Sequence, residues 1–281
     1  MREGPPAELR CFSRVIISGA CHTGSRLSEI YAAGVASHPG FRQRYTGKET
    51  DMPFALLKKK RTSVIDDPMK HASERWGIPV KESRVYRHWR FRVPHCTTAQ
   101  FEKLDDGFHR HCGPTAMTNL IIAIKRSYNI FPAPNEVFQK VAEIGRKSRA
   151  YWNTDYLGHF GGTYDILTGM YIRKCLKEYG IDAEVEGKFD ASPAWYSKKL
   201  RENCLIYLQL MRNSCYGNHH VICCGYKAIE GREESGRIRR DIYLELIDGW
   251  AKTTRWIPAT SLKLCHAYAI KPAAKKENSG R

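Results

Sequence analysis

The chain has 281 residues, 42% of them hydrophobic, and a formal net charge of +17. This length and composition suit a globular protein of one large or two small domains with a substantial core. No apolar run approaches the roughly 20 residues of a membrane-spanning helix, and the apolar segment at residues 15–21 is too short for an export signal. We therefore expect a cytoplasmic protein without a membrane span.

The positive charge would attract polyanions, anionic surfaces or acidic peptides. It is densest in the run Lys-Lys-Lys-Arg at residues 58–61. Because no aromatic side chains that could stack on bases are interleaved with this run, a solvated loop is favoured over a nucleic-acid contact. The net charge does not exclude a nucleic-acid partner.

The ten cysteines follow no spacing typical of a disulfide scaffold or of a zinc site. His109, His111 and Cys112 lie close together, but no second cluster of ligands accompanies them. We expect free thiols in a reducing compartment, with no metal and no cofactor.

In chain order, residues 1–90 are interpreted as a basic N-terminal extension of uncertain order with one short helix at about residues 69–76. An aromatic, strand-like pattern from Tyr86 to Val93 follows.

Helices are then predicted to begin at the following residues: Cys112, Asn135, Thr163 and Ser192. Strands are predicted over residues 205–210, 219–226, 242–247, 255–257 and 267–270. Helices followed by strands indicate an α+β domain with an antiparallel sheet over residues 91–271, and the polar tail at residues 272–281 is expected to be disordered.

Cys112 stands where the first of these helices begins. Pro114 fits the first helical turn, and Ala116, Leu120 and Ile124 repeat at helical spacing. The N-terminal end of a helix favours a thiolate, which is the nucleophilic form of cysteine. A buried, inert cysteine at a helix start is the alternative interpretation.

A nucleophilic cysteine needs a base and a group that orients the base. His219 and His220 open a predicted strand, and strand alternation puts them on opposite faces, so only one of them can face Cys112. Asp248, at the end of a later strand, could accept the imidazole N–H. Asp-Gly is also a common turn pair, so Asp248 could be a plain turn residue.

These three segments resemble the papain-like cysteine peptidases, nearest to the peptidases that process bacteriocin leaders. The segment Cys-Gly-Pro-Thr-Ala from Cys112 resembles their nucleophile segment, and the strand from His219 to Tyr226 resembles their histidine strand. The turn Asp-Gly-Trp from Asp248 resembles the turn that carries the orienting residue. The resemblance spans roughly residues 90–271 and implies a papain-like fold, with Cys112 as nucleophile, His219 as base and Asp248 as orienting residue.

The sequence departs from that family at the oxyanion site. The family has a glutamine shortly before the cysteine, whereas residues 106–111 here contain none. The backbone N–H of Cys112 could supply one oxyanion donor. His109 is the preferred second donor, because the side chain of His111 should point away from the groove.

The sequence therefore predicts a cysteine peptidase, or a related amide hydrolase, that acts on a peptide or protein through a thioester intermediate. An acyltransferase or transglutaminase-like enzyme with the same triad is one alternative. A non-catalytic basic binding protein on the same fold is the other. We also expect Cys112 to be largely ionised near neutral pH, through a protonated His219 and the helix terminus.

Overall fold

The computed structural model describes residues 65–104, 110–152 and 162–273. Within these ranges the chain combines helices with an antiparallel sheet, which confirms the predicted α+β class. None of the described helices is both long and apolar enough to cross a membrane.

The elements alternate between helices and strands before the sheet dominates. The helices are α1 (Pro68–Trp76), α2 (Thr98–Phe101), α3 (Cys112–Ser127), α4 (Pro134–Lys147), α5 (Thr168–Glu178) and α6 (Pro193–Arg201). The strands are β1 (Ser83–Arg90), β2 (Tyr151–Trp152), β3 (Gly162–Thr163), β4 (Ala183–Phe189), β5 (Leu205–Asn213), β6 (Gly217–Arg232), β7 (Ile238–Ile247), β8 (Arg255–Pro258) and β9 (Cys265–Pro272).

The main sheet has seven antiparallel strands. Six follow the order β4-β9-β5-β6-β7-β8, and β1 is a further partner of β6. The long strand β6 pairs with β5 through its first half and with β1 through its second half. Strands β2 and β3 form a separate two-stranded ribbon.

The two faces of the sheet bury two different cores. Along β6, Ile222 and Cys224 belong to the core formed with α3, α4 and α5, whereas Val221 and Cys223 belong to the core formed with α6. This is the period-two pattern of a strand.

Helix α3 lies at the centre of the first core. All twelve residues from Gly113 to Ile124 are buried, as expected for a helix that is surrounded by protein rather than placed on the surface. Pro114 lies in its first turn, where a missing N–H leaves no hydrogen bond unmade.

Two predicted helix starts differ from the structure. Helix α4 begins at Pro134, one residue before Asn135, because proline is preorganised for the first helical position. Thr163 lies in β3, opposite Tyr151, and a short 3-10 turn separates it from α5. Ser192 does cap α6, as predicted, by accepting the N–H of Trp195 at 3.3 Å.

Strand β4 was not predicted from the sequence. It is an edge strand with mostly exposed side chains, so it lacks the apolar alternation that marks a half-buried strand.

The residues just before 91 pack with those after it. Strand β1 pairs with β6, and Ala72 of α1 shares a small apolar cluster with Ile229, Tyr243 and Trp256. Ile65 forms a bridge to Trp256. The boundary that the sequence analysis drew at residue 90 therefore falls inside a packed region. Residues 1–64 and 274–281, including the basic run at 58–61 and nearly all of the tail, lie outside the described residues.

Candidate active site

Cys112 is the first residue of α3 and is half-buried. Two residues earlier, Arg110 has a φ of 52°, a left-handed conformation that turns the chain sharply into the helix. Gly113 has to be small, because a Cβ there would overlap the side chain of Thr163. The β2–β3 ribbon therefore packs directly on the helix start that presents the cysteine.

The thiol lies at the beginning of β6. The sulfur lies next to the backbone N–H of His220. This N–H and those of Cys112 and Gly113 favour the thiolate and so lower the pKa of Cys112. Cys112 is therefore next to the peptide bond that joins His219 to His220. Among the described residues, neither imidazole ring makes a hydrogen bond to the Cys112 Sγ atom.

His219 is fixed by the turn that follows β7. Its Nε2 atom lies 2.7 Å from the main-chain oxygen of Asp248. The ring stacks on Trp250 at 4.3 Å and on Tyr216 at 5.7 Å between centroids. Because a carbonyl oxygen only accepts, Nε2 must carry the proton, and in the neutral ring Nδ1 is left with a lone pair.

The carboxylate of Asp248 does not hold His219. One oxygen, Oδ1, accepts the N–H groups of Trp250 at 2.9 Å and Ala251 at 3.3 Å. The other, Oδ2, lies 3.2 Å from the Nε atom of Arg255, without a well-aligned hydrogen bond. Asp248 thus contacts the ring as predicted, but through its main chain, and its side chain stabilises the turn.

The helix that carries Cys112 also anchors this turn. The side-chain amide of Asn119, in α3, accepts a hydrogen bond from the N–H of Cys96 at 2.9 Å. The same amide donates a hydrogen bond to the carbonyl of Cys96 at 3.0 Å. Two residues later, the N–H of Thr98 donates to Gly249 at 2.8 Å. Helix α3, which begins at Cys112, and the turn after β7 are therefore linked through the segment from Cys96 to Thr98.

His220 points to the opposite face, towards α3. Its Nδ1 atom lies 3.1 Å from the hydroxyl of Tyr207, and that hydroxyl donates to the carbonyl of Gly113 at 3.3 Å. The His220 ring also bonds to the backbone of Thr163. The His220 ring therefore contacts two residues, Tyr207 and Thr163, that pack on the start of α3.

Burial keeps the site uncharged. It raises the pKa of the Cys112 thiol, and the nearby Asp165 carboxylate raises it further. Burial lowers the pKa of His219 to about 4 and that of His220 to about 3. At neutral pH the site thus holds a thiol and neutral imidazoles, in contrast to the thiolate–imidazolium pair expected from the sequence. The reason is that both rings are buried and the thiol is half-buried, so little water is available to stabilise either charge.

Of the two histidines considered as oxyanion donors, His111 lies within the described residues. The Nδ1 atom of His111 lies 3.2 Å from the Thr115 hydroxyl, and the ring packs edge-on against Phe138 at 5.3 Å. It therefore faces the core, as expected for a residue that points away from the groove. His109 lies outside the described residues.

Asp165 and Gln209 also lie near Cys112, and neither was predicted from the sequence as a site residue. The amide of Gln209 lies close enough to the Asp165 carboxyl group to lower its pKa, and the Asp165 charge in turn raises the pKa of Cys112. The only signal was a glutamine within the apolar strand β5, whose other residues from Leu205 to Leu210 are apolar or aromatic.

The structure therefore gathers the start of α3, the start of β6 and the turn after β7. Within the described ranges, no group of three or more His, Cys, Asp or Glu side chains is arranged to hold a metal ion. Comparison with protein-family models and with curated proteins finds no match to this chain.

Proposed function

We propose that this protein is a papain-like cysteine peptidase, or a closely related amide hydrolase, with Cys112 as the nucleophile. His219 is the base, and Asp248 positions its ring. One observation carries the proposal: the Cys112 sulfur lies beside the peptide that joins His219 to His220, while the main-chain oxygen of Asp248 binds the Nε2 atom of His219.

The ring that faces α3 is that of His220, and the choice of His219 as the base rests on which ring nitrogen is free to accept a proton. The bond from Nε2 to Asp248 leaves Nδ1 of His219 with a lone pair and, among the described residues, without a partner. His220 uses its Nδ1 with Tyr207 and bonds to Thr163 as well. A ring that is occupied in this way is poorly suited to take a proton.

The chemistry begins from a neutral pair. Nδ1 of His219 takes the thiol proton as Sγ attacks the substrate carbonyl, and the resulting imidazolium gives that proton to the leaving amine. Water, deprotonated by His219, then hydrolyses the thioester and releases the acid and the free thiol. The main-chain carbonyl of Asp248 accepts a hydrogen bond from Nε2–H throughout the reaction, and this bond stabilises the imidazolium.

A non-catalytic binding protein is the second candidate, and one observation favours it. The raised pKa of Cys112 and the lowered pKa of His219 describe a site without the ion pair that activates many cysteine nucleophiles.

Digestion of a mixed peptide library, followed by mass spectrometry, separates these candidates. We expect cleavage by the wild-type chain, none by Cys112→Ser, and unchanged cleavage by the matched control Cys215→Ser, which alters another half-buried free cysteine. Absence of any product that depends on Cys112 would favour the binding protein. Addition of glycinamide identifies acyl transfer, because the acyl half of the peptide would then be joined to glycinamide instead of ending in a free acid.

A further inference from the structure

A row of polar side chains crosses the sheet at the end nearest Cys112. His220 of β6, Gln209 of β5 and His266 of β9 are aligned in register. Gln209 is 1% exposed, and its Oε1 atom has no hydrogen-bond partner in the described part of the chain. Buried amide oxygens are rarely left unpaired, so this atom requires an explanation.

Asp165 stands beside this row in the exposed turn before α5. The Gln209 amide lies close enough to interact with its carboxylate, and no charged side chain of the described residues affects that carboxylate. It is close enough to Cys112 to influence its ionisation. An uncompensated acid at this position is unusual in a chain with a net charge of +17.

We propose that Asp165 and Gln209 form a subsite beside Cys112 that binds a lysine or arginine side chain of the substrate. This inference rests on the proposed peptidase function and specifies its substrate class.

The chemistry of the two groups defines the ligand. An ionised carboxylate and a free amide oxygen are both acceptors, and ammonium and guanidinium groups carry only donors. Such charge-assisted hydrogen bonds are stronger than neutral ones. A neutral apolar side chain would leave Gln209 unpaired, and an acidic one would be repelled by Asp165.

Occupation of the subsite would also act on the nucleophile. The Asp165 charge raises the pKa of Cys112, and a bound cation would neutralise that charge. A basic substrate residue would therefore make the thiol easier to ionise, because it would remove the Asp165 contribution and leave burial as the main cause of the raised pKa.

Peptidyl chloromethyl ketones test the subsite directly on the full chain. Three probes differ only in the side chain beside the reactive group, which is lysine, norleucine or glutamate, and peptide mapping gives the rate of alkylation at Cys112. In the wild type we expect the lysine probe to react about tenfold faster than the norleucine probe, and the glutamate probe to be slowest. Asp165→Asn should remove the preference for lysine, and the matched control Asp182→Asn, at another exposed acid, should keep it.

Gln209→Leu provides a second variant and should weaken the preference while leaving the Asp165 charge in place. Equal rates for the lysine and norleucine probes, or a lysine preference that survives in Asp165→Asn, would overturn the subsite. In either case, selective alkylation of Cys112 would leave the proposed function standing. If no probe modifies Cys112 faster than it modifies the other cysteines, both the proposed function and the subsite are wrong.

Discussion

At the scale of single residues, Asp248 performs two tasks with different atoms. Its main-chain oxygen accepts a hydrogen bond from His219, and its buried carboxylate binds the backbone of the turn and pairs with Arg255. The position of the ring therefore depends on the shape of the turn more than on the charge of the side chain.

Replacement of Asp248 by asparagine should consequently affect stability more than turnover. The Oδ1 atom of asparagine can still accept from Trp250 and Ala251, but Arg255 loses its buried counter-charge. We expect the free energy of unfolding to fall by about 1–3 kcal/mol, with a smaller loss of turnover than in His219→Ala. Urea unfolding and peptide cleavage measure the two effects. A variant of full stability without turnover would show that the carboxylate acts directly in catalysis.

The thiol of Cys112 gives a second prediction at this scale. Since burial and Asp165 both raise its pKa, the rate of alkylation by iodoacetamide should rise through an inflection above the free-thiol value of about 8.5. A short cysteine peptide under the same conditions is the control. An inflection below that of the peptide would instead indicate a thiolate–imidazolium pair, as the sequence alone suggested.

At the scale of elements, the start of β6 holds two buried neutral imidazoles. The pKa values of His219 and His220 are about 4 and about 3 in the folded protein, compared with 6.5 in an unfolded chain. At pH values between the folded and the unfolded pKa, the unfolded chain binds more protons than the folded protein does. The contribution to stability is thus complete above about pH 6.5 and is lost as the pH falls through 4 towards 3.

We therefore predict that the free energy of unfolding decreases by on the order of a few kcal/mol between pH 7 and pH 4. Replacement of both histidines by glutamine should make this decrease shallower, whatever its effect at pH 7. His88→Gln, on the exposed face of β1, is the control and should leave the slope unchanged. The same slope in the double variant would mean that other groups cause the acid sensitivity.

Elements also differ in how well the sequence predicted them. Helix α3 and strand β6 have strong periodicity, so their starts at Cys112 and near His219 were placed to within about two residues. Strand β4 carries little periodicity, because the edge of a sheet places few constraints on its side chains. The start of α5 was misplaced because Thr163 pairs with Tyr151, a contact between strands that local capping rules cannot anticipate.

At the scale of the whole molecule, α1 packs against β1, β6 and β7. Ala72 is fully buried against Tyr243, and Arg75 forms an ion pair with Asp241. The sequence offered no reason to join this segment to the domain at residues 91–271, since its apolar residues are few and widely spaced.

Ala72→Glu should therefore destabilise the entire described domain. A carboxylate at that position would lose its hydration without gaining a partner, which should cost at least about 2 kcal/mol. Lys70→Glu, on the exposed side of the same helix, should change stability by less than about 0.5 kcal/mol. Thermal unfolding followed by circular dichroism and tryptophan fluorescence measures both. A separate early transition for α1, with the main transition unchanged, would show that this helix is not part of the cooperative unit.

The sequence by itself determined the α+β class, the placement of Cys112 at a helix start and the opposite orientations of His219 and His220. These follow from helical and strand periodicity and from local signals such as Pro114, which act over a few residues. Only the tertiary structure decided which atom of Asp248 meets His219, that the thiol is protonated at rest, and that Asp165 meets Gln209. Those features depend on desolvation and on contacts between segments that are distant in the chain, and no local pattern encodes them.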